Sequence, residues 1–338
     1  MLVKVGRDVA SSFDGLPGVE RPNRRHKVAL LGLGAMGSCH ARVLRALETR
    51  YEIVGAYDPR PEAQTPDGMA RLASDDEAMR RADVVVIATP VETHAQLAAR
   101  ALAEGKHVIV EKPICATAAE AHALVATPRG NGRLFVGHSE RFNPVVRVLA
   151  RLVGPDEISR MELRRVGRSR PGNGRALVNL GVHDLDLAAY LGGGEITLRG
   201  AVGSAGDQEG EDFADVLFST ARGAVGHAHV DGSSPFRARS IVVATARWVY
   251  QGDLLAHRLV RSARASSGTT DVPLPLEEPL LAQASALADA LDGRGSRELA
   301  TGADGARALQ FAEGAAAFFA PESANRPSRF HGTPGLSR

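Results

Sequence analysis

From Lys27 onward, short apolar runs alternate with stretches of helical spacing. KVALL (27–31), EIVGAY (52–57), VVVIA (84–88), HVIVE (107–111) and RLFVG (133–137) read as strands. Between them, residues 36–49 place Val43, Leu44 and Leu47 on one side of a helix. Residues 92–104 do the same with Leu97, Ala98, Ala101 and Leu102, ending at Gly105, and residues 117–126 form a third helix. Strands apolar on both faces and separated by helices predict a parallel sheet covered on both sides. The fold class expected is a Rossmann-type doubly wound α/β domain over residues 26–140.

After Asn143-Pro144 the rhythm changes. A helix near 144–152 leads to a strand at 157–166, a loop rich in Gly and Arg (GRSRPGNGR, 167–175) and a helix at 179–191. Segments 195–203, 213–219, 224–230, 240–245 and 247–251 then follow as strands with no helix between them. Such a run predicts an α+β domain with an open, mostly antiparallel sheet over residues 141–320, closed by Ala-rich helices at 279–292 and 303–319. Residues 1–25, with Ser11, Ser12, Asp14, Gly15, Pro17, Gly18 and Pro22, read as a flexible extension, and 321–338 as a flexible tail.

A length of 338 residues suits two domains, and 44% hydrophobic residues are enough for packed cores. The net charge of +2 is spread along the chain without a basic block, so no nucleic-acid partner is expected. No run approaches the ~20 apolar residues of a membrane span, so no membrane partner is expected either. Cys39 and Cys115 form no CxxC pair; neither a disulfide framework nor a metal is expected, and the cytoplasm is the natural compartment.

Gly32-Leu33-Gly34-Ala35-Met36-Gly37 is a GxGxxG that follows a strand and opens a helix, the context a dinucleotide fingerprint requires. Gly32 suits the tight turn, Gly34 the approach of backbone to pyrophosphate, and Gly37 close helix–strand packing. The free N–H groups and partial positive charge at the helix start attract phosphates. Asp58 ends the second strand, where a carboxylate accepts hydrogen bonds from the adenosine ribose and repels a 2′-phosphate. NAD is therefore expected over NADP, with Arg60 softening the preference.

Four pieces in order carry a resemblance: GLGAMGSCHARVL (32–44), ATPVETH (88–94), Glu111-Lys112-Pro113, and NLGVHDLDLAAYL (179–191). They resemble the Gfo/Idh/MocA family of oxidoreductases, and GHSERFNP (137–144) is similar to its subgroup that includes UDP-N-acetylglucosamine 3-dehydrogenases. The resemblance implies that Thr89, Pro90 and His94 flank the nicotinamide half of NAD, with Glu111 and Lys112 beside its ribose. It implies that Lys112 reaches the reacting hydroxyl and that His183 is the general acid–base, roles that suit an amine depressed by a cationic nicotinamide and an imidazole titrating near neutrality. Asp186, three residues after His183, is the expected orienter of its ring, with the adjacent Asp184 as alternative. Asn179 stands where inositol-dehydrogenase-like members carry an aspartate, and an amide cannot relay a proton.

Arg141, Asn143, Arg168, Asn179 and His183 are the expected substrate contacts. Arg164, Arg165, Arg168, Arg170 and Arg175 suggest bidentate recognition of a diphosphate, hence oxidation of a ring hydroxyl of a nucleotide-linked sugar. The alternatives are a free-sugar or inositol dehydrogenase, a non-catalytic NAD-binding sensor, and an NAD-dependent glycosidase. The family resemblance also implies a homo-oligomer, a dimer or tetramer, formed through the open sheet.

Overall fold

The computed structural model describes residues 25–319 apart from 67, 129, 169–174 and 206–210. The expected extension (but for Arg25), the tail and the middle of the arginine loop, Arg170 included, lie outside the described residues.

The first half alternates β1 (His26–Leu31), α1 (Ala35–Ala46), β2 (Tyr51–Tyr57), α2 (Asp75–Arg81), β3 (Val84–Ile87), α3 (His94–Ala103), β4 (His107–Val110), α4 (Ala118–Ala126) and β5 (Leu134–Val136). These strands form a parallel sheet in the order β2-β1-β3-β4-β5. The unbroken apolar runs are explained by burial on both faces. Val28, Leu30, Val84, Val86 and Ile109 pack with Ala41 and Leu44 of α1, while Ala29, Leu31, Val85, Ile87 and Val108 pack with Met79, Ala98 and Leu102. Helix α2 was not foreseen from the sequence. Its DDEAMRR stretch buries only Ala78 and Met79 and is held by the Ser74 cap, whose hydroxyl accepts from Glu77 N–H.

The second half runs α5 (Pro144–Leu152), β6 (Arg160–Val166), a π-helical turn (Leu177–Gly181) leading into α6 (Val182–Leu191), and β7 (Ile196–Ala205). It continues with β8 (Glu211–Thr220), β9 (Val225–Asp231), β10 (Ala238–Ala244), β11 (Trp248–Asp253), β12 (Arg258–Ala263) and β13 (Thr270–Val272), then α7 (Pro279–Leu291) and α8 (Gly302–Ala316). The eight strands are ordered β13-β12-β11-β10-β6-β9-β8-β7 and are antiparallel except for β6–β9. β12 and β13, polar strands at one edge, also escaped the sequence reading.

One face of this sheet, with Leu163, Val216, Ala228 and Ile241, is buried in the same cluster as Leu185 and Ala188 of α6. The other face leaves Leu217 and Val225 more than half exposed. The last two helices reach the first sheet, although α8 also packs against β7 and α6. Ala282, Ala286 and Leu287 of α7 join the core beside α1 and β1, and Gly302 and Gly305 of α8 lie so close to Leu134 and Val136 of β5 that a Cβ there would stand 2.5 and 2.6 Å from their side chains. The segment expected as a separate unit, 141–320, thus returns to the first sheet over its last forty or so residues.

Candidate active site

The three fingerprint glycines are needed for three different reasons. Gly32 has φ +93°, and a Cβ there would lie 2.4 Å from the Ala88 carbonyl oxygen, so the β1–α1 turn rests directly on the start of the β3–α3 loop. A Cβ on Gly37 would lie 2.0 Å from the Gly32 oxygen. Gly34, the residue before α1, has nothing within 4 Å of that position, so its backbone is open to an approaching group. Ala35 and Met36 are exposed, and the first turn of α1 has no acidic side chain, which leaves its N–H groups facing outward for an anion. Asp58 is buried at the end of β2. It accepts from Leu33 N–H at 2.8 Å and from the Arg60 guanidinium at 2.9 and 2.8 Å. The Arg60 contact and the Leu33 bond hold its carboxyl far below the usual range despite burial. These groups fit a dinucleotide: an open backbone for the pyrophosphate, a helix N-terminus, and a carboxylate for the ribose with a cation beside it.

His94 is buried, its Nδ1 3.0 Å from the Pro113 carbonyl and its Nε2 3.0 Å from the Thr89 carbonyl. A neutral ring donates from one nitrogen only, and burial lowers its pKa, so the two carbonyls compete for one proton. His94 thus braces the Thr89–Pro90 turn against the Lys112-Pro113 segment. Glu111 is also buried and turned inward: its Oε1 is 2.7 Å from His40 Nε2 of α1, and its Oε2 accepts from Lys112 N–H. Burial opposes its ionisation, but His40 and Lys112 hold its carboxyl below the usual range.

Lys112 Nζ donates to the Asn179 carbonyl oxygen at 2.9 Å, joining the end of β4 to the turn before α6. Burial pushes its amine down to about 8; Glu111 opposes this, and Arg165 and Arg239 reinforce it. His183, the second residue of α6, is driven well below the ordinary value by burial and by the positive charge of Lys112, Arg165 and Arg239. A neutral imidazole beside a perturbed amine is equipped to take a proton. The two residues that the motifs singled out, 71 positions apart, are brought together.

Their expected helpers are placed otherwise. Asp186 does not orient His183: both its oxygens accept from Arg141, at 2.8 and 2.6 Å. Asp184 Oδ1 lies 3.0 Å from Arg165. His183 Nδ1 is buried without a hydrogen-bond partner among the described residues. Arg141, expected at the substrate, instead lines a cavity of about 360 Å³ with Tyr190 and Arg297 at the far end of α6. Asn143 caps α5, accepting from Val145 N–H and donating to the Leu254 carbonyl, and is 2% exposed. Arg165, 1% exposed, is committed to Asp184 and Glu140, while Arg164 is exposed on the opposite face of β6. Arg168 is exposed and Arg175 half-buried at the two ends of the loop.

Sequence reasoning missed several members of this centre. His40 and Glu140 sat inside quoted motifs but were not singled out. Glu140 accepts from Arg165 at 3.1 Å and from Arg239 at 2.7 Å. Arg239, on β10, had no sequence signal. His138 is 1% exposed, with its ring edge-on to His183 and centroids 6.2 Å apart.

Residues 26–138 match the family model described as an oxidoreductase family with an NAD-binding Rossmann fold, and residues 147–250 match the GFO/IDH/MocA C-terminal domain. Similar curated proteins include an inositol 2-dehydrogenase of Acidothermus cellulolyticus, 29% identical over 59% of this chain and 63% of its own length. A UDP-N-acetylglucosamine 3-dehydrogenase of Acidithiobacillus ferrooxidans is 28% identical over 59% of this chain and 64% of its own. The chain spans just under two thirds of the length of these relatives. The solved structure of the Acidithiobacillus ferrooxidans UDP-N-acetylglucosamine 3-dehydrogenase has the same fold, with a TM-score of 0.79 at 24% identity over 88% of this chain and 98% of that one. With both halves matched and the EKP and HDLDL segments meeting at one centre, the chain belongs to the Gfo/Idh/MocA family of oxidoreductases, and residues 26–138 are its NAD-binding Rossmann domain.

Proposed function

We propose that this protein is an NAD-dependent dehydrogenase that oxidises or reduces a ring hydroxyl of a sugar. The substrate favoured is a nucleotide-linked sugar such as UDP-N-acetylglucosamine, at C3. The observation that carries the reading is the pair of Lys112 and His183, an amine depressed to about 8 and a half-buried imidazole held well below its ordinary value, brought together where the end of β4 meets the start of α6. Bound NAD supplies the hydride acceptor. His183 takes the hydroxyl proton at Nε2, and Lys112 orients the hydroxyl oxygen while its charge favours the alkoxide character that develops there. Gly32, Gly34, Ala35, Met36, Gly37 and Asp58 hold the adenosine and pyrophosphate end. Thr89, Pro90 and His94 shape the nicotinamide end, and Glu111, held by His40, keeps Lys112 in place through the Lys112 backbone N–H.

Among the described residues, Arg168 and Arg175, at the ends of the loop, are the candidate guanidinium groups for a diphosphate, since Arg164 and Arg165 are directed elsewhere. Asn179 lies beside Lys112 and contacts substrate by its amide. The outer face of the large sheet, with Leu217 and Val225 exposed, is the surface through which a dimer or tetramer forms. A free-sugar or inositol dehydrogenase is the second reading, favoured by the likeness to inositol 2-dehydrogenases.

The test is a turnover screen of UDP-sugars, free sugars and inositols, with NAD and NADP separately, following nicotinamide absorbance. Highest kcat/KM on a UDP-sugar, with KM raised by Arg168→Ala or Arg175→Ala, supports the proposal. Turnover of inositol or a free sugar as fast as any nucleotide sugar selects the second reading. Intact NAD binding with no turnover of any alcohol overturns both and leaves a non-catalytic sensor.

A further inference from the structure

An imidazole that accepts a proton at Nε2 must carry its own proton on Nδ1, and a buried N–H needs an acceptor. His183 Nδ1 has none among the described residues. The carboxylates on its own helix do not serve. Asp186 faces Arg141 and the His138 ring and makes no hydrogen bond to His183, and Asp184, though its Oδ2 is unpartnered among the described residues, is the next residue along a helix and points to a different side.

His138, from the turn after β5, is the remaining candidate. It is 1% exposed, and neither ring nitrogen has a hydrogen-bond partner among the described residues. Its Nδ1 lies 3.7 Å from Asp186 Oδ2, just outside hydrogen-bond range, and its ring stands edge-on to His183 at an interplanar angle of 87°. Two neighbouring rings therefore carry three buried nitrogens without a hydrogen-bond partner among the described residues. Burying polar atoms unpaired opposes folding, and an apolar side chain would fill the same space without that cost. Contacts of this kind commonly lengthen in ligand-free active sites and close in the substrate complex.

We propose that His138 is a positioning residue for His183: it accepts the His183 Nδ1–H at its Nε2 and donates its own Nδ1–H to Asp186, which Arg141 anchors. This inference rests on the proposed dehydrogenase reading. No proton travels along the chain; the arrangement selects the tautomer that leaves His183 Nε2 able to accept. His138 faces Asp186, Arg141, Lys112 and Asp304, and burial keeps it neutral, so it meets His183 as an acceptor and not as a second cation. His183 is itself faced by Lys112, Arg165, His138 and Arg239.

The experiment compares His138→Phe and His138→Gln with the parent protein. Thermal stability, NAD affinity, kcat, KM and the pH profile of kcat/KM are measured on the substrate found by the screen. In parallel, ¹⁵N-imidazole spectra of the NAD-bound proteins report the His183 tautomer without reference to turnover. His138→Phe is expected to melt at or above the parent temperature and to bind NAD normally. It should lose at least ~10-fold in kcat with KM little changed, within the range a positioned base contributes. The acidic limb of its profile should move to lower pH, because an acceptor behind the base has gone. His138→Gln, whose amide can still bridge, should recover part of the rate.

The parent spectra should show His183 protonated on Nδ1, and His138→Phe a mixture. If His138→Phe fails to fold, the parent and His138→Gln spectra decide: Nδ1–H in both is expected. A parent His183 protonated on Nε2, or a His138→Phe protein with unchanged kcat and pH profile, overturns the proposal. A parent protein that turns over no alcohol but shows the Nδ1–H tautomer instead fails the dehydrogenase reading and leaves the contact standing.

Discussion

Lys112 costs the fold stability, and the cost has a pH signature. Burial takes its amine from 10.5 to about 8, a difference equivalent to about 3 kcal/mol. The folded value lies below the unfolded one, so under pH 8 the protonated amine burdens the folded state with that whole amount. Between about 8 and 10.5 the folded protein binds fewer protons than the unfolded chain, and stability at this site rises with pH. Lys112→Met removes the burden but also the 2.9 Å bond to the Asn179 carbonyl, a charge-assisted bond of about 1.5–3 kcal/mol. The absolute stability of the variant at pH 7 is therefore a near-balance. The change with pH is not: parent stability minus variant stability should grow by about 3 kcal/mol from pH 7 to pH 10.5. Urea unfolding of both proteins at a series of pH values measures it. The chain's lysines are Lys4, Lys27, Lys106 and Lys112, so ε-¹³C-lysine labelling gives few enough resonances to titrate each one. One midpoint near 8, absent from Lys112→Met, is expected. A stability gap independent of pH, or lysines that all titrate above 10, would refute the reasoning.

Two glycines three residues apart should fail in opposite ways. Gly37→Ala drives a methyl against the Gly32 carbonyl and should lower stability by about 1–3 kcal/mol, read by thermal melting. Gly34→Ala meets nothing in the protein, so it should melt normally yet lose NAD affinity by calorimetry. Asp58→Ala should narrow the preference for NAD over NADP and leave Arg60 available to a 2′-phosphate; equal affinities in the unmutated protein would contradict this. Arg165→Met leaves Glu140 and Asp184 buried without their shared cation and should cost about 3–5 kcal/mol in urea unfolding.

What could be read from the chain alone follows from the range of the forces involved. The five parallel strands announced themselves because burial on both faces leaves no polar position in VALL (28–31) or VVVIA. The fingerprint glycines were legible because each answers a local steric demand. α2 was not, since a helix made of DDEAMRR owes its place to two buried residues and a cap. β12 and β13 were missed because edge strands carry little apolar signal. The partners of Asp184 and Asp186 come from 19 and 45 residues away, and no spacing rule connects them. For the same reason Arg141 and Asn143 were assigned to substrate: the motif names the residues, but only the packed structure says which way the side chains turn. His138 and Glu140 lay in the same motif, unmarked, because a buried polar residue is recognised by its surroundings.

The central claim, that His183 accepts the proton while NAD is held elsewhere, is tested most directly by His183→Ala. kcat should be measured on the substrate the screen identifies, with NAD affinity determined by calorimetry on the same preparation. A loss of about 10²–10⁴-fold in kcat with NAD affinity nearly unchanged is predicted, because the proposed pyrophosphate site, residues 32–37, is left intact. Near-full kcat in His183→Ala would contradict the account.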